Sequence, residues 1–174
     1  MPTLFIMCGP AGSGKSTWLK KVFSQNWDKS KSVIVSRDEI RFAELTAAGL
    51  GVKDYFKKET IVYAKYTATI AAELNAGNDV YADSTNLSKK AREKLIRTIE
   101  RQVRKPFNVI AFDFYREDMR QRCYLQNRQR TGLALVPDGA VAKQCDEYER
   151  PSATEYKIDF VYPIDIDEEM HLDE

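Results

Sequence analysis

Short runs of β-branched and aromatic residues alternate along the chain with longer stretches in which apolar residues recur every three or four positions. The short runs predict strands at 4–8, 32–35, 79–82, 107–112 and 158–162. Helical spacing fills the intervals at 15–24, 38–45, 54–75, 88–103, 117–128 and 139–147. Alternation of this kind predicts an α/β fold, a parallel five-stranded sheet with helices on both faces. Such sheets bind ligands beyond the carboxyl ends of their strands. Polar residues that follow strands are therefore the first candidates for chemistry. No repeat, low-complexity segment or linker interrupts the pattern, and a single domain over residues 1–174 is expected.

Composition narrows the setting more than the chemistry. The apolar fraction of 43% and the charged fraction of 30% are ordinary for a globular chain. No apolar run approaches the roughly 20 residues needed to cross a bilayer, so no membrane partner is expected. The apolar N-terminal stretch lacks a positive region and runs straight into a glycine-rich loop, which argues against a signal peptide. Cys8, Cys123 and Cys145 are few and scattered, which suggests a reducing, cytoplasmic setting with neither a disulfide framework nor a zinc site. The net charge of +1 conceals an asymmetry: the stretch 163–174 holds Asp165, Asp167, Glu168, Glu169, Asp173 and Glu174 and no Lys or Arg. It reads as a solvated acidic tail, and the more basic body suits a polyanionic partner. The single histidine, His171, lies in that tail, so no histidine-based mechanism is expected.

The strongest chemical signal is Gly-x4-Gly-Lys-Ser, matched by Gly9, Gly14, Lys15 and Ser16 between the first strand and the first helix. Backbone N–H groups of Gly9, Ala11, Gly12, Ser13 and Gly14 are expected to wrap the phosphates of ATP or another nucleoside triphosphate, at the positive end of the helix. Lys15 supplies a charge to the β and γ phosphates, and the Ser16 hydroxyl a ligand for Mg²⁺. Thr17, one place later, is the less favoured ligand. The predicted fold is thus a P-loop kinase fold.

Three further segments follow strands. Ser36 and Glu39 read as a capping box. Asp38 and Arg41, three apart, share one helix face and read either as a hydroxyl base with a phosphate grip or as a surface ion pair. Asp83 ends the third strand, where a carboxylate partners Mg²⁺ directly or through its shell. Ser84, Thr85 and Asn86 follow it, and Ser88 is expected to cap the next helix. Arg116, Arg120, Arg122, Arg128 and Arg130 crowd the stretch after the fourth strand, usually the mark of a solvated face. Apolar periodicity then fails over 126–137, which reads as a lid, with Arg128 and Arg130 available to a transferring phosphoryl group. Val136-Pro137 gives a stop, and Asp138 is expected to cap the helix beyond. Tyr55, Tyr63 and Tyr66 recur at helical spacing, a pattern of core residues more often than of a base-stacking wall.

These segments, in this order, resemble the 5′-kinase module of phage-type polynucleotide kinases over roughly residues 3–150. The resemblance rests on Thr17-Trp18 after the loop, on Arg37, Asp38, Glu39 and Arg41, on Thr85-Asn86-Leu87, and on Arg130 three places past Asn127. It implies transfer of the γ-phosphate of ATP to the 5′-hydroxyl of DNA or RNA. It also implies Asp38 as general base, Arg41 on the acceptor phosphate, and Lys15 and Arg130 on the transferring group. Two departures stand out: Ser84 occupies the place of an aspartate, with Asp83 one earlier, and Gln126 stands where an arginine is common. Either Asp83 takes the aspartate's role or the acceptor is gripped differently. Asp165-Ile-Asp167 has the letters of a phosphatase nucleophile motif, but a charged tail explains it. A small-metabolite or nucleotide-sugar kinase shares most of these features, and a nucleotide-binding switch would need only the loop. No stable protein partner is expected.

Overall fold

The computed structural model describes residues 1–25 and 29–170. Five parallel strands form its sheet: β1 (Thr3–Cys8), β2 (Ser32–Ser36), β3 (Asp79–Asp83), β4 (Asn108–Asp113) and β5 (Phe160–Pro163). Their order across the sheet is β2-β3-β1-β4-β5, so the chain crosses from one side of β1 to the other between β3 and β4. The helices are α1 (Lys15–Gln25), α2 (Arg37–Ala47), α3 (Glu59–Ala76), α4 (Lys89–Glu100), α5 (Met119–Arg128), α6 (Asp138–Glu147) and α7 (Ile166–Met170). This is the P-loop kinase architecture.

The core follows from the period of two along the strands. Leu4, Ile6, Val80, Ala82, Val109 and Ala111 point to one face and pack under α3 and α4 through Ile70, Leu74, Leu95, Ile96 and Ile99. Phe5, Met7, Tyr81 and Phe112 point to the other and meet Trp18 and Leu19 of α1. Phe5 and Tyr81 stack with centroids 4.5 Å apart. Tyr66 belongs to the first of these cores, as its spacing suggests.

Most boundaries agree with the pattern, and the disagreements have local causes. The helix expected over 54–75 begins only at Glu59, and Val52–Asp54 forms a 3-10 turn. The Asp54 carboxylate accepts from Gly51 N–H and pairs with Lys57, an alternative to helical bonding that short acidic side chains favour. Tyr55 is thereby left outside α3. Asp138 lies in the first turn of α6 rather than at its cap, which falls on Pro137 without a side-chain bond. Ser36 and Ser88 do cap, accepting from Glu39 and Ala91 N–H. The stretch expected to be a solvated tail is packed over part of its length: Ile164 is buried, and Asp167 accepts from both Arg116 and Arg122. Those arginines are accordingly bonded rather than merely solvated. Residues 171–174, including His171, lie outside the described residues.

One polar group inside the core has no local sequence signal. Arg92 is completely buried; it binds both oxygens of Glu155 at 2.7 Å and donates to the carbonyls of Asn86 and Glu149. It ties the loop after β3 to the segment after α6. Truncating one partner of such a pair strands a buried charge, so Arg92→Ala should lose about 3–5 kcal/mol in a urea unfolding series. A midpoint unchanged from wild type would show the pair to be dispensable.

Candidate active site

Residues 9–14 turn from β1 into α1, and within the turn Ser13 N–H donates to the Pro10 carbonyl at 3.2 Å. Gly12 has φ of 83°, and a Cβ there would stand 2.6 Å from the carbonyl oxygen of Cys123, so α5 sits directly on the loop. Lys15 is buried, and its Nζ donates to the carbonyls of Gly9 (2.7 Å) and Pro10 (2.8 Å) and to Ser13 Oγ. Burial pushes the Lys15 ammonium below its usual range, while Asp83 and Asp38 pull it back up. Ser16 Oγ donates to Asp83 Oδ2 at 2.7 Å, which joins the start of α1 to the end of β3. Burial raises the Asp83 carboxyl, and Lys15 and Ser16 oppose that shift.

A hydroxyl at the start of α1 and a carboxylate at the end of β3 suit a small hard cation. No cluster of three or more His, Cys, Asp or Glu able to hold a metal occurs among the described residues. Two protein oxygens suit Mg²⁺, which keeps waters and phosphate oxygens in most of its positions. Thr17 borders the other side of the loop: with Gly12, Ser13, Gly14, Arg122 and Gln126 it lines a second hollow of about 180 Å³.

Across a cleft of about 160 Å³ from Lys15 and Ser16 stand Asp38 and Arg41 of α2, with Arg130 also on the lining. Arg41 is only 6% exposed whereas the Asp38 side chain is half open, so the pair is buried at its arginine end and open at its carboxylate end. Its Nη1 donates to Asp38 Oδ1 and its Nε to Glu59 Oε1 (2.6 Å), and its guanidinium lies over the Tyr55 ring. Burial opposes the Arg41 charge, but the Glu59 bond and the neighbouring acids outweigh it and raise its pKa. Burial also lifts Glu59, yet Arg41 and Arg37 hold it below the usual carboxylate range. The Tyr55 hydroxyl donates to Asp38 Oδ1 at 3.3 Å; burial and then Asp38 push it up to about 12, so it remains a donor at neutral pH. Asp38 itself keeps half of its side chain open to the cleft.

The loop after β3 divides its residues. Ser84 and Thr85 line the cleft, and the Thr85 carbonyl accepts from Gly9 N–H. Asn86 has φ of 44° and donates its amide to Met7 O at 2.7 Å, so that nitrogen braces β1. The segment 126–137 begins inside α5, which continues to Arg128. Fully buried Asn127 exchanges two bonds with the backbone of Val136, which pins both ends of the intervening loop. Arg130, on that loop, reaches the cleft lining, whereas Arg128 is exposed and does not. Ala11 N–H donates to Gln144 Oε1 of α6, a second tie between the loop and this region.

Two of the residues assembled here, Glu59 and Gln144, carried no sequence signal as parts of a site, and Arg37 and Asn127 were visible only as members of the motifs behind the resemblance. Tyr55 was visible only as one aromatic of a helix that does not include it.

The chain matches the AAA domain family over residues 4–151 and belongs to it. No curated protein matches the chain. Among solved structures, a chain of the Pnkp1/Rnl/Hen1 RNA repair complex is 25% identical with a TM-score of 0.60, covering 84% of this chain and 43% of that one. The present chain thus spans less than half of that relative. A candidate kinase from Chloroflexus aurantiacus gives a TM-score of 0.65 at 12% identity, covering 99% and 89% of the two chains. A gluconokinase from Sinorhizobium meliloti gives 0.53 at 14%, covering 94% and 83%. The last two are alike in fold alone. The fold is that of a kinase-type P-loop protein, for which a nucleoside triphosphate is the implied donor. Among the described residues no helix is long and apolar enough to cross a membrane.

Proposed function

We propose that this AAA-domain chain transfers the γ-phosphate of ATP to the 5′-hydroxyl end of DNA or RNA. The observation that carries the reading is the placement of Asp38. Arg41 and Tyr55 hold its carboxylate, half open, on the wall of the cleft opposite Lys15. Resemblance to phage-type polynucleotide kinases and 25% identity to a chain of an RNA repair complex support the same acceptor class.

In this scheme the 5′-hydroxyl gives its proton to Asp38 as its oxygen bonds to the γ-phosphorus. The bond from that phosphorus to the bridging oxygen breaks, and ADP leaves. The loop N–H groups and Lys15 position the donor, and Lys15 with Arg130 stabilises charge on the transferring group. Ser16 and Asp83 would hold Mg²⁺, which would supply further neutralisation of the phosphates. Arg41 binds with Nε and Nη1 inside the cleft wall, and its Nη2 grips the phosphate on the 3′ side of the acceptor nucleoside. Ser84 and Thr85 border that acceptor, with Asn86 fixing their loop. The segment 126–137 acts as the lid of a single kinase domain. No stable protein partner enters this reading, although the relative was observed within an assembly.

Incubation with γ-labelled ATP, Mg²⁺ and 5′-hydroxyl oligonucleotides of DNA and RNA, beside sugars and nucleosides, tests the reading. Label confined to a small molecule sinks it. Glu59 orients Arg41 through a charged hydrogen bond, of a kind worth about 1.5–3 kcal/mol. Glu59→Gln should therefore raise the oligonucleotide KM by about tenfold and leave the KM for ATP nearly unchanged. Equal increases in both would make the Glu59–Arg41 pair purely structural.

A further inference from the structure

Beside the transfer cleft lies a larger groove of about 790 Å³, walled by α3, α4, the loop after β3 and the end of α6. The two hollows share Arg37, Glu59 and Thr85, so a ligand can run continuously from one to the other. The groove's size suits one nucleotide unit. Its walls carry buried polar atoms without a hydrogen-bond partner among the described residues: Tyr63 Oη and Tyr66 Oη on α3, and Arg37 Nε at the start of α2. Tyr66 is only 1% exposed, and an unpaired donor at that depth is costly unless a ligand meets it.

The charges on the groove are also unequal in their freedom. Two cations approach the Tyr63 ring, Arg37 Cζ at 5.2 Å and Lys94 Nζ at 5.1 Å from its centroid. Arg37 is paired with Glu59, whereas Lys94 has no ion pair among the described residues. Of the acids on the groove, Asp146 is paired with Arg120 and Glu147 with Lys143, while Glu149 accepts from the neutral Lys89 N–H and keeps its charge. Lys94 is the lining cation without an ion pair among the described residues, and so the one free to meet a phosphate. An aromatic ring approached by cations, with spare donors beneath, is the chemistry that single-stranded nucleic acid uses.

We infer that this groove receives the second nucleotide of the acceptor strand, an inference that rests on the proposed 5′-kinase activity. Tyr63 supports the sugar and base, the Tyr63 and Tyr66 hydroxyls donate to their oxygen or nitrogen acceptors, and Lys94 meets the phosphate on the nucleotide's 3′ side. Lys94 is thus a specificity-determining residue that distinguishes a strand from a lone nucleotide.

The full chain is assayed with two 5′-hydroxyl acceptors, a nucleoside 3′-monophosphate and a dinucleotide bearing a 3′-phosphate, for kcat/KM at fixed salt. The dinucleotide should be favoured by about tenfold. Lys94→Ala should remove most of that preference through the dinucleotide's KM and leave the mononucleotide within about twofold. Lys94→Arg should restore it. Equal kcat/KM for both acceptors in the wild-type protein overturns the subsite, and so does a Lys94→Ala loss shared by both. If the mononucleotide is labelled in those cases, the proposed activity stands without the subsite. If neither acceptor is labelled, both fail together.

Discussion

Replacing Asp38 by asparagine should lower kcat for 5′-hydroxyl phosphorylation by about 10²–10⁴-fold, the usual contribution of a positioned general base. Asparagine keeps the size of the side chain, and its amide oxygen can still accept from Tyr55 and Arg41 as Asp38 Oδ1 does. What it loses is the capacity to take a proton. In the proposed reading the donor binds at Lys15 and the loop rather than at Asp38, so the KM for ATP should move little. Because half of the Asp38 side chain is open to solvent, folding stability should be nearly unchanged in urea. A steady-state assay with saturating ATP and a 5′-hydroxyl oligonucleotide reads the effect. Wild-type turnover in the variant would remove Asp38 from the chemistry and favour a nucleotide-binding switch, which needs no hydroxyl base.

Arg130→Ala should cost about 10³-fold in kcat, the lower end of the 10³–10⁵ that a mobile arginine contributes to phosphoryl transfer. The lower end applies because Lys15 remains to neutralise the same phosphates. Arg130 sits on a loop whose ends are fixed by the Asn127–Val136 bonds, so the side chain can reach into the cleft without unravelling α5. Its effect should fall on kcat, since the charge it stabilises develops in the transition state. Arg128→Ala supplies the contrast: that side chain is exposed and outside the cleft lining, and its loss should change kcat less than about twofold. Comparable losses in the two variants would show a diffuse basic surface rather than one directed arginine.

These expectations depend on residues that were unequally visible along the chain. The loop 9–16 was legible because its chemistry is contiguous: glycine freedom, successive N–H groups and the first helical turn all act within eight residues. The Ser36 and Ser88 caps were legible for the same reason, since a cap reaches three residues and no further. Asp38 and Arg41 could be set on one helix face by spacing, though not placed in a cleft.

The sequence by itself therefore determined the parallel α/β architecture, the phosphate loop and the helix face bearing Asp38 and Arg41. Its reach ended where side-chain identity over one turn of helix stopped specifying neighbours. Only the tertiary structure set Asp83 rather than Ser84 against Ser16, because strand order and the register of β2, β3 and β1 decide which residue ends beside the loop. It alone joined Arg41 to Glu59 across eighteen positions, released Tyr55 from the helix expected to contain it, and buried Arg92 against Glu155. Those contacts arise when packed elements bring distant carboxylates and cations together out of water, where an unpaired charge is too costly to leave. The phosphate loop is written into eight consecutive residues, whereas the rest of the cleft, with Asp38, Arg41, Tyr55, Glu59, Ser84 and Thr85, is assembled from separate segments by the way the sheet folds.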